Sequence, residues 1–196
     1  MKYPEFFKEI EPIVLHDDLA EFLGSTENGI IEISYAEIVK MAGHSCAVVG
    51  GAYLMALKGL KALYGNNLPC RGNIKVELKS PLEEGNTGVT ANVLSNITGA
   101  TATTGFAGIQ GKFVRRGLMF FDVPMNATIR LTRLDTGKSV EINYNPAKVV
   151  QPRNILMSAI SPNASEEQKQ SFPHRWQEMV KTIFEHADTV VDVHEC

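Results

Sequence analysis

Residues 42–57 read Ala42-Gly43-His44-Ser45-Cys46-Ala47-Val48-Val49-Gly50-Gly51-Ala52-Tyr53-Leu54-Met55-Ala56-Leu57. Cys46, Val49, Tyr53, Ala56 and Leu60 recur at the helical period, and Leu57 and Leu63 widen the apolar stripe. The spacing predicts a helix to about Tyr64, ended by Gly65-Asn66-Asn67, with Lys58 and Lys61 complementing the dipole near its C-terminus. Gly50, Gly51, Ala52 and Ala56 carry little side chain, so another backbone can approach this helix closely. At its mouth stand His44 and Cys46, two residues apart. Unpaired N–H groups and the positive end of the dipole favour thiolate chemistry there.

Outward from this helix, Tyr35 to Met41 reads as a short helix stopped by Gly43, and Ile30 to Tyr35 as a strand. Residues 3–24 read as helical, with Phe6, Phe7, Ile10, Val14 and Leu15 at helical spacing and a division at Pro12. Asp17 or Asp18 caps the second part, and Gly24 ends it. On the other side, Asn73 to Lys79 alternates with period two and predicts a strand, and Gly88 to Leu94 predicts another. Ser95 to Lys112 is small, polar and glycine-rich, the composition of a functional loop. Leu118 to Phe121 reads as a strand; Thr128 to Leu134 and Ser139 to Tyr144 form a hairpin over the turn Asp135 to Lys138. Beyond Pro146 and Pro152, residues 153–161 and 164–187 read as helices, with Pro173 a candidate start for the second. Asp188 to Cys196 is a short strand or a tail.

The order of elements predicts an α+β fold: a mostly antiparallel sheet packed against a central small-residue helix. It divides as a core domain over residues 1–150 and a helical C-terminal extension over residues 151–196.

The chain has 196 residues, 44% of them hydrophobic and 21% charged, which suffices for one sizeable core. Its formal charge of -3 argues against nucleic acid as the main partner, since phosphate binding needs a basic face. Three widely spaced cysteines make no disulfide framework and point to a reducing cytoplasm. The first residues mix acids with apolar groups and make no signal peptide. The run Ala47 to Leu57 is broken by Lys58 before it could span a bilayer, so no membrane is expected.

His44 and Cys46 offer imidazole and thiolate, a pair suited to zinc or another late transition metal. Two ligands do not complete a site; His16, an acid such as Asp17 or Asp18, water or a second subunit could supply the rest. Cys46 could also act as a nucleophile with His44 as its base, or serve only as a small buried hydrophobe with His44 a capping residue. The run Gly105-x-x-Gly108-x-x-Gly111-Lys112 fails the P-loop spacing, and Phe113 follows the lysine where Ser or Thr is required. Backbone amides with Lys112, Arg115 and Arg116 could still hold an anion. Cys70 and Cys196 belong to no paired motif.

Ala42-Gly43-His44-Ser45-Cys46 with its small-residue helix resembles the G-H-x-C-P signature of the FmdE-like family, named for a component of formylmethanofuran dehydrogenase. Thr98-Gly99-Ala100-Thr101, then Gly111-Lys112 and the strand Leu118 to Phe121, resembles that family's second motif, T-G-C-T-x-G-K. Ala47 and Ala100 depart from the family's Pro and Cys, residues 102–110 are inserted, and the C-terminal zinc finger is missing, as in a divergent branch. The resemblance implies an intertwined homodimer, a cleft with His44 and Cys46 as ligands to a bound metal, and association with a molybdenum or tungsten one-carbon oxidoreductase. It places Thr98, Thr101 and Lys112 on a loop that covers the site and selects a small anionic or polar ligand.

Three functions follow. The first is a metal-binding FmdE-like accessory protein or enzyme, with zinc on His44, Cys46 and His16. The second is a metal-free cysteine enzyme acting on a small carbonyl or acyl compound. The third is a non-catalytic dimeric module that binds a small molecule.

Overall fold

The computed structural model describes residues 2–196. The fold is α+β. A two-stranded antiparallel sheet pairs β1 (Ile13–His16) with β2 (Ile30–Ile33). A five-stranded mixed sheet is built from β3 (Ile74–Leu78), β4 (Met119–Phe120), β5 (Ile129–Arg133), β6 (Ser139–Tyr144) and β7 (Val191–Glu195), in the order β4-β3-β5-β6-β7. Within this sheet β3 and β4 pair parallel and the other neighbours antiparallel.

Helix α3 (Ala47–Tyr64) lies across the larger sheet and is buried on nearly every side. Its small residues explain how. A Cβ at Gly51 would fall 2.3 Å from the Tyr144 ring, and one at Gly59 would fall 2.4 Å from Ile142 Cδ1. The glycines therefore let the helix axis sit close to β6, over Ile129, Leu131, Val140 and Ile142, none more than 1% exposed. Each fully buried aliphatic side chain stabilises the fold by about 1.5–3 kcal/mol relative to exposure, so this helix–sheet interface carries the core. Around it pack α2 (Tyr35–Ala42), α4 (Thr87–Thr98) and α6 (Glu166–Glu185). By contrast α5 (Pro152–Ile160) buries no residue and leans mainly on α6.

Two segments depart from the sequence expectation. Residues 13–16 form strand rather than helix. Pro12 precedes them, Ile13 and Val14 are β-branched, and Ile13 and Leu15 alternate inward against β2. The true helix there is α1 (Asp18–Phe22), capped by Asp17, whose carboxylate accepts from Leu19 N and Ala20 N. Residues 88–94 form α4 rather than a strand. The run GVTANVL fits period two, but Thr90, Val93, Leu94 and Ile97 also recur at helical spacing, and that face is the buried one.

The C-terminal residues turn through α7 (Ala187–Val190) into β7, which pairs antiparallel with β6 from Val140↔Glu195 to Tyr144↔Val191. Pro173 stands inside α6, whose start is a capping box between Ser165 and Gln168. Among the described residues, no helix is long and apolar enough to cross a membrane.

Candidate metal centre

The His44–Cys46 turn joins α2 to α3. Cys46 is the N-cap of α3, with Val49 N donating to its Sγ at 3.5 Å. His44 is exposed, with Nδ1 3.0 Å from the Ala42 carbonyl. Between them Ser45 is buried, its hydroxyl 2.9 Å from the Tyr35 hydroxyl. The Ser45 carbonyl accepts from Trp176 Nε1 at 2.9 Å and Gln177 Nε2 at 3.3 Å, and Tyr144 Oη donates to the Ala47 carbonyl at 2.7 Å. Burial pushes both the Tyr35 and Tyr144 phenols well up from their usual range, so they serve here as neutral hydrogen-bonding groups. The turn is thus pinned by α2, α6 and β6. Neither His44 nor Cys46 belongs to a cluster of three metal-ligating side chains among the described residues.

The one such cluster among the described residues is His16, Asp18 and Cys70, whose ligand atoms all lie within 4.8 Å of one another. His16 ends β1 and Asp18 opens α1. Cys70 follows Pro69 in the connection from α3 to β3 and forms an isolated parallel bridge with His16. His16 Nδ1 lies 3.1 Å from Asp18 Oδ1, and Cys70 Sγ donates to Asp18 Oδ2 at 3.8 Å. The other ring nitrogen, Nε2, is 3.0 Å from Glu21 Oε2. A carboxylate behind the second nitrogen orients a ligating imidazole and raises its basicity. Gly29 makes room for that contact: at φ +67°, an added Cβ would fall 2.9 Å from His16 Nε2. Bond lengths to tetrahedral zinc place ligand atoms roughly 3.3–3.6 Å apart, so small shifts would bring the three onto one ion. Burial pushes the Cys70 thiol up to about 11, and the neighbouring Asp18 carboxylate adds to the effect. Cys70 is therefore a thiol when the ion is absent, and the ion takes the place of its proton.

Directly beneath lies a buried charge cluster. Asp17, 2% exposed, accepts from Arg71 Nη1 at 2.8 Å and Arg115 Nη2 at 2.6 Å. Burial alone would raise the Asp17 pKa. The Arg71 hydrogen bond and the Arg115 charge outweigh it and hold the carboxyl below its usual range. Arg71 Nη2 also donates to the Asn96 carbonyl at 3.1 Å. Arg71 Nε and Arg115 Nη1 are buried without a hydrogen-bond partner among the described residues. Arg115 runs where a side chain at position 72 would stand; a Cβ on Gly72 would fall 1.3 Å from Nη1.

The glycine-rich loop closes over this region. Thr101 N and Oγ1 both donate to the Arg115 carbonyl, at 2.8 and 3.0 Å, and Arg115 N donates to the Phe106 carbonyl at 3.0 Å. Phe113, at φ +60°, stacks on Phe22 of α1 with ring centroids 5.3 Å apart. Phe113, Val114 and Arg115 line a cavity of about 230 Å³ together with Asp18, Cys70, Arg71 and Asn73. Of the three residues expected on the loop, Thr98 is instead the last residue of α4, fully buried and donating to the Leu94 carbonyl at 2.7 Å. Thr101 ties the base of the loop, and Lys112 is exposed in a tight turn closed by reciprocal 2.9 Å bonds with Ile109.

His16 and the acids beside it were legible as ligand candidates. Cys70 was not, because its partners lie at the end of β1 and the start of α1, far away in sequence, and no short motif links them. The one local signal was Pro69-Cys70-Arg71, a thiol beside a cation in a connection between core elements.

No protein-family model matches the chain, and no curated protein matches it. Among solved structures it is similar to a tungsten formylmethanofuran dehydrogenase FmdE-like protein from Syntrophus aciditrophicus. The TM-score is 0.44 and the sequence identity 15%, over 83% of this chain and 72% of that one.

Proposed function

We propose that the protein binds a divalent transition-metal ion, zinc foremost, through His16, Asp18 and Cys70. The convergence of three ligand atoms within 4.8 Å of one another carries this reading. Thiolate, imidazole and carboxylate together suit zinc better than the hard cations, which take oxygen ligands alone. Three protein ligands leave a fourth position open, the pattern of catalytic rather than structural zinc sites. The open position would face the cavity beneath Phe113. An ion so held polarises a bound oxygen or lowers the pKa of a bound water. The chain's own part is to orient His16 through Glu21, to hold Asp17, Arg71 and Arg115 rigid beneath the site, and to limit solvent access with the loop. A role beside a molybdenum or tungsten one-carbon oxidoreductase is the finer reading; it rests on the two sequence motifs alone.

Metal content, measured by native mass spectrometry on protein purified without affinity-tag metals, tests the assignment. The expected result is one ion per chain, lost in Cys70→Ala and kept in Cys46→Ala. Loss in Cys46→Ala with retention in Cys70→Ala would move the ion to the His44–Cys46 turn.

A further inference from the structure

The cavity against the proposed ion has a chemistry of its own. Its wall contains two of the three ligands, Asp18 and Cys70, and two arginines, the half-buried Arg71 and the buried Arg115. The two guanidiniums share a single carboxylate, Asp17, so one unit of positive charge has no acid hydrogen-bonded or ion-paired to it. The other acids at the site, Asp18 and Glu21, face His16 instead. Two guanidinium nitrogens, Arg71 Nε and Arg115 Nη1, lack any hydrogen-bond partner among the described residues. Arg115 is 6% exposed, and Nη1 lies against Gly72, itself part of the cavity wall. A buried, under-satisfied cation calls for an ion or water from outside the chain.

Size and charge narrow the occupant. A volume of about 230 Å³ falls short of the 300–1,000 Å³ of pockets for drug-sized ligands. It corresponds to about seven or eight waters. Counted by direct pairing, one guanidinium is left without a carboxylate of its own, and a monoanion matches it where a phosphate dianion overshoots. A guanidinium N–H makes a charge-assisted hydrogen bond to a carboxylate, and with Nη1 on Asp17 and Nη2 on the Asn96 carbonyl the unpartnered nitrogen of Arg71 is Nε.

We propose that this cavity takes up a small monocarboxylate, drawn between the open position of the metal and the Arg71 guanidinium. The proposal rests on the metal assignment above and adds the class of ligand. Arg71 is the positioning group because its side chain is 24% exposed, while Arg115 is locked against Gly72.

The test uses the full-length protein loaded with cobalt(II) in place of zinc, with acetate as the probe at constant ionic strength. Acetate should shift the visible cobalt bands saturably, and phosphate at equal concentration should do so much more weakly. Arg71→Gln should leave the acetate-free cobalt spectrum unchanged and weaken acetate binding by tenfold or more. Arg71→Lys, which keeps the charge and tests that the fold is retained, should fall between the two. Cobalt bands that acetate does not move overturn the carboxylate site and leave the metal assignment standing. Equal acetate affinity in wild type and Arg71→Gln, or tighter binding of phosphate than of acetate, overturns it as well. Absence of thiolate–cobalt bands in the wild type overturns the metal assignment, and the ligand class with it.

Discussion

His16 and Cys70 stand side by side across a single parallel bridge: His16 N donates to the Pro69 carbonyl at 2.9 Å, and Arg71 N donates to the His16 carbonyl at 2.7 Å. Main-chain hydrogen bonds, rather than a flexible loop, therefore set the distance between imidazole and thiol. That rigidity is what a metal centre needs, since a ligand set held by backbone loses little freedom when the ion arrives. Zinc in excess should then stabilise the fold by mass action, by about 2.7 kcal/mol when free ion reaches a hundredfold over Kd. Thermal unfolding with zinc and with a chelator measures this. Cys70→Ser, nearly isosteric but a poor zinc ligand, should unfold at the same temperature under both conditions.

The same bridge places Arg71 over Asp17, and Arg115 completes the pair from below. Arg115→Met should destabilise the protein by about 2–3 kcal/mol, less than the roughly 3–5 kcal/mol of a wholly unpaired buried charge, because Asp17 keeps Arg71 but loses its more buried partner. Arg71→Met should cost less, since Arg71 is partly exposed and Arg115 would still face the carboxylate. The pH dependence follows from the depressed Asp17 pKa. A carboxyl lowered in the folded state contributes stability above its unfolded pKa of about 3.9, and that contribution is lost as pH falls through the lower folded value. Denaturant unfolding compared at pH 6 and pH 3 should show the loss. Asp17→Asn should remove this component of the acid sensitivity.

Much of the architecture was readable because local pattern and tertiary role agree. The small-residue helix, the hairpin over Asp135 to Lys138 and the strand from Ile74 to Leu78 all bury the face their periodicity marks. Reading failed where one run satisfied two periods. Residues 88–94 alternate like a strand, yet the face shared by Thr90, Val93, Leu94 and Ile97 is the one that packs. Residues 13–16 had the helical spacing of their neighbours, but pairing with β2 decided their state. The site was harder still. His44 and Cys46 are conspicuous because they are close in sequence; His16 and Asp18 are equally close, but Cys70 joins them only through the bridge to β1. Short motifs report local chemistry; a site assembled from separate elements leaves no spacing to find.

Phe113 holds a left-handed conformation that bulky residues avoid, at φ +60°, while its ring stacks on a largely exposed Phe22. Such strain costs about 1–2 kcal/mol in an L-residue and nothing comparable in glycine. Phe113→Ala and Phe113→Gly both lose the stacked ring, but only glycine relieves the backbone. Phe113→Gly should therefore be the more stable of the two by about 1 kcal/mol, the reverse of the usual order of these residues. Both should speed metal exchange, since each removes the ring from the cavity wall. Equilibrium denaturation ranks the two variants, and stopped-flow transfer of zinc to a coloured chelator reads the exchange.

The two glycines beneath the sheet separate rigid from yielding contacts. Alanine in a helix interior is favoured over glycine by about 1 kcal/mol, so an unhindered replacement would stabilise α3. At Gly59 the nearest obstacles are Ile142 Cδ1 at 2.4 Å and Leu131 Cδ1 at 2.9 Å from the added Cβ, both ends of rotatable side chains. At Gly51 the obstacle is the Tyr144 ring at 2.3 Å, and that ring is tied by its hydroxyl to the Ala47 carbonyl at 2.7 Å. Moving the ring would break a bond to the first residue of α3 and disturb the turn that carries Cys46. Gly51→Ala should thus cost about 1–3 kcal/mol net, the range for overpacking a filled core. Gly59→Ala should cost less, because methyl ends can turn aside and the gain in helix propensity offsets part of the strain. Gly51→Ala combined with Tyr144→Leu, which trims the ring, should recover most of the loss. Non-additivity of the pair in a double-mutant cycle by denaturant unfolding is the measurement, and additive costs would show that the ring is not the obstacle.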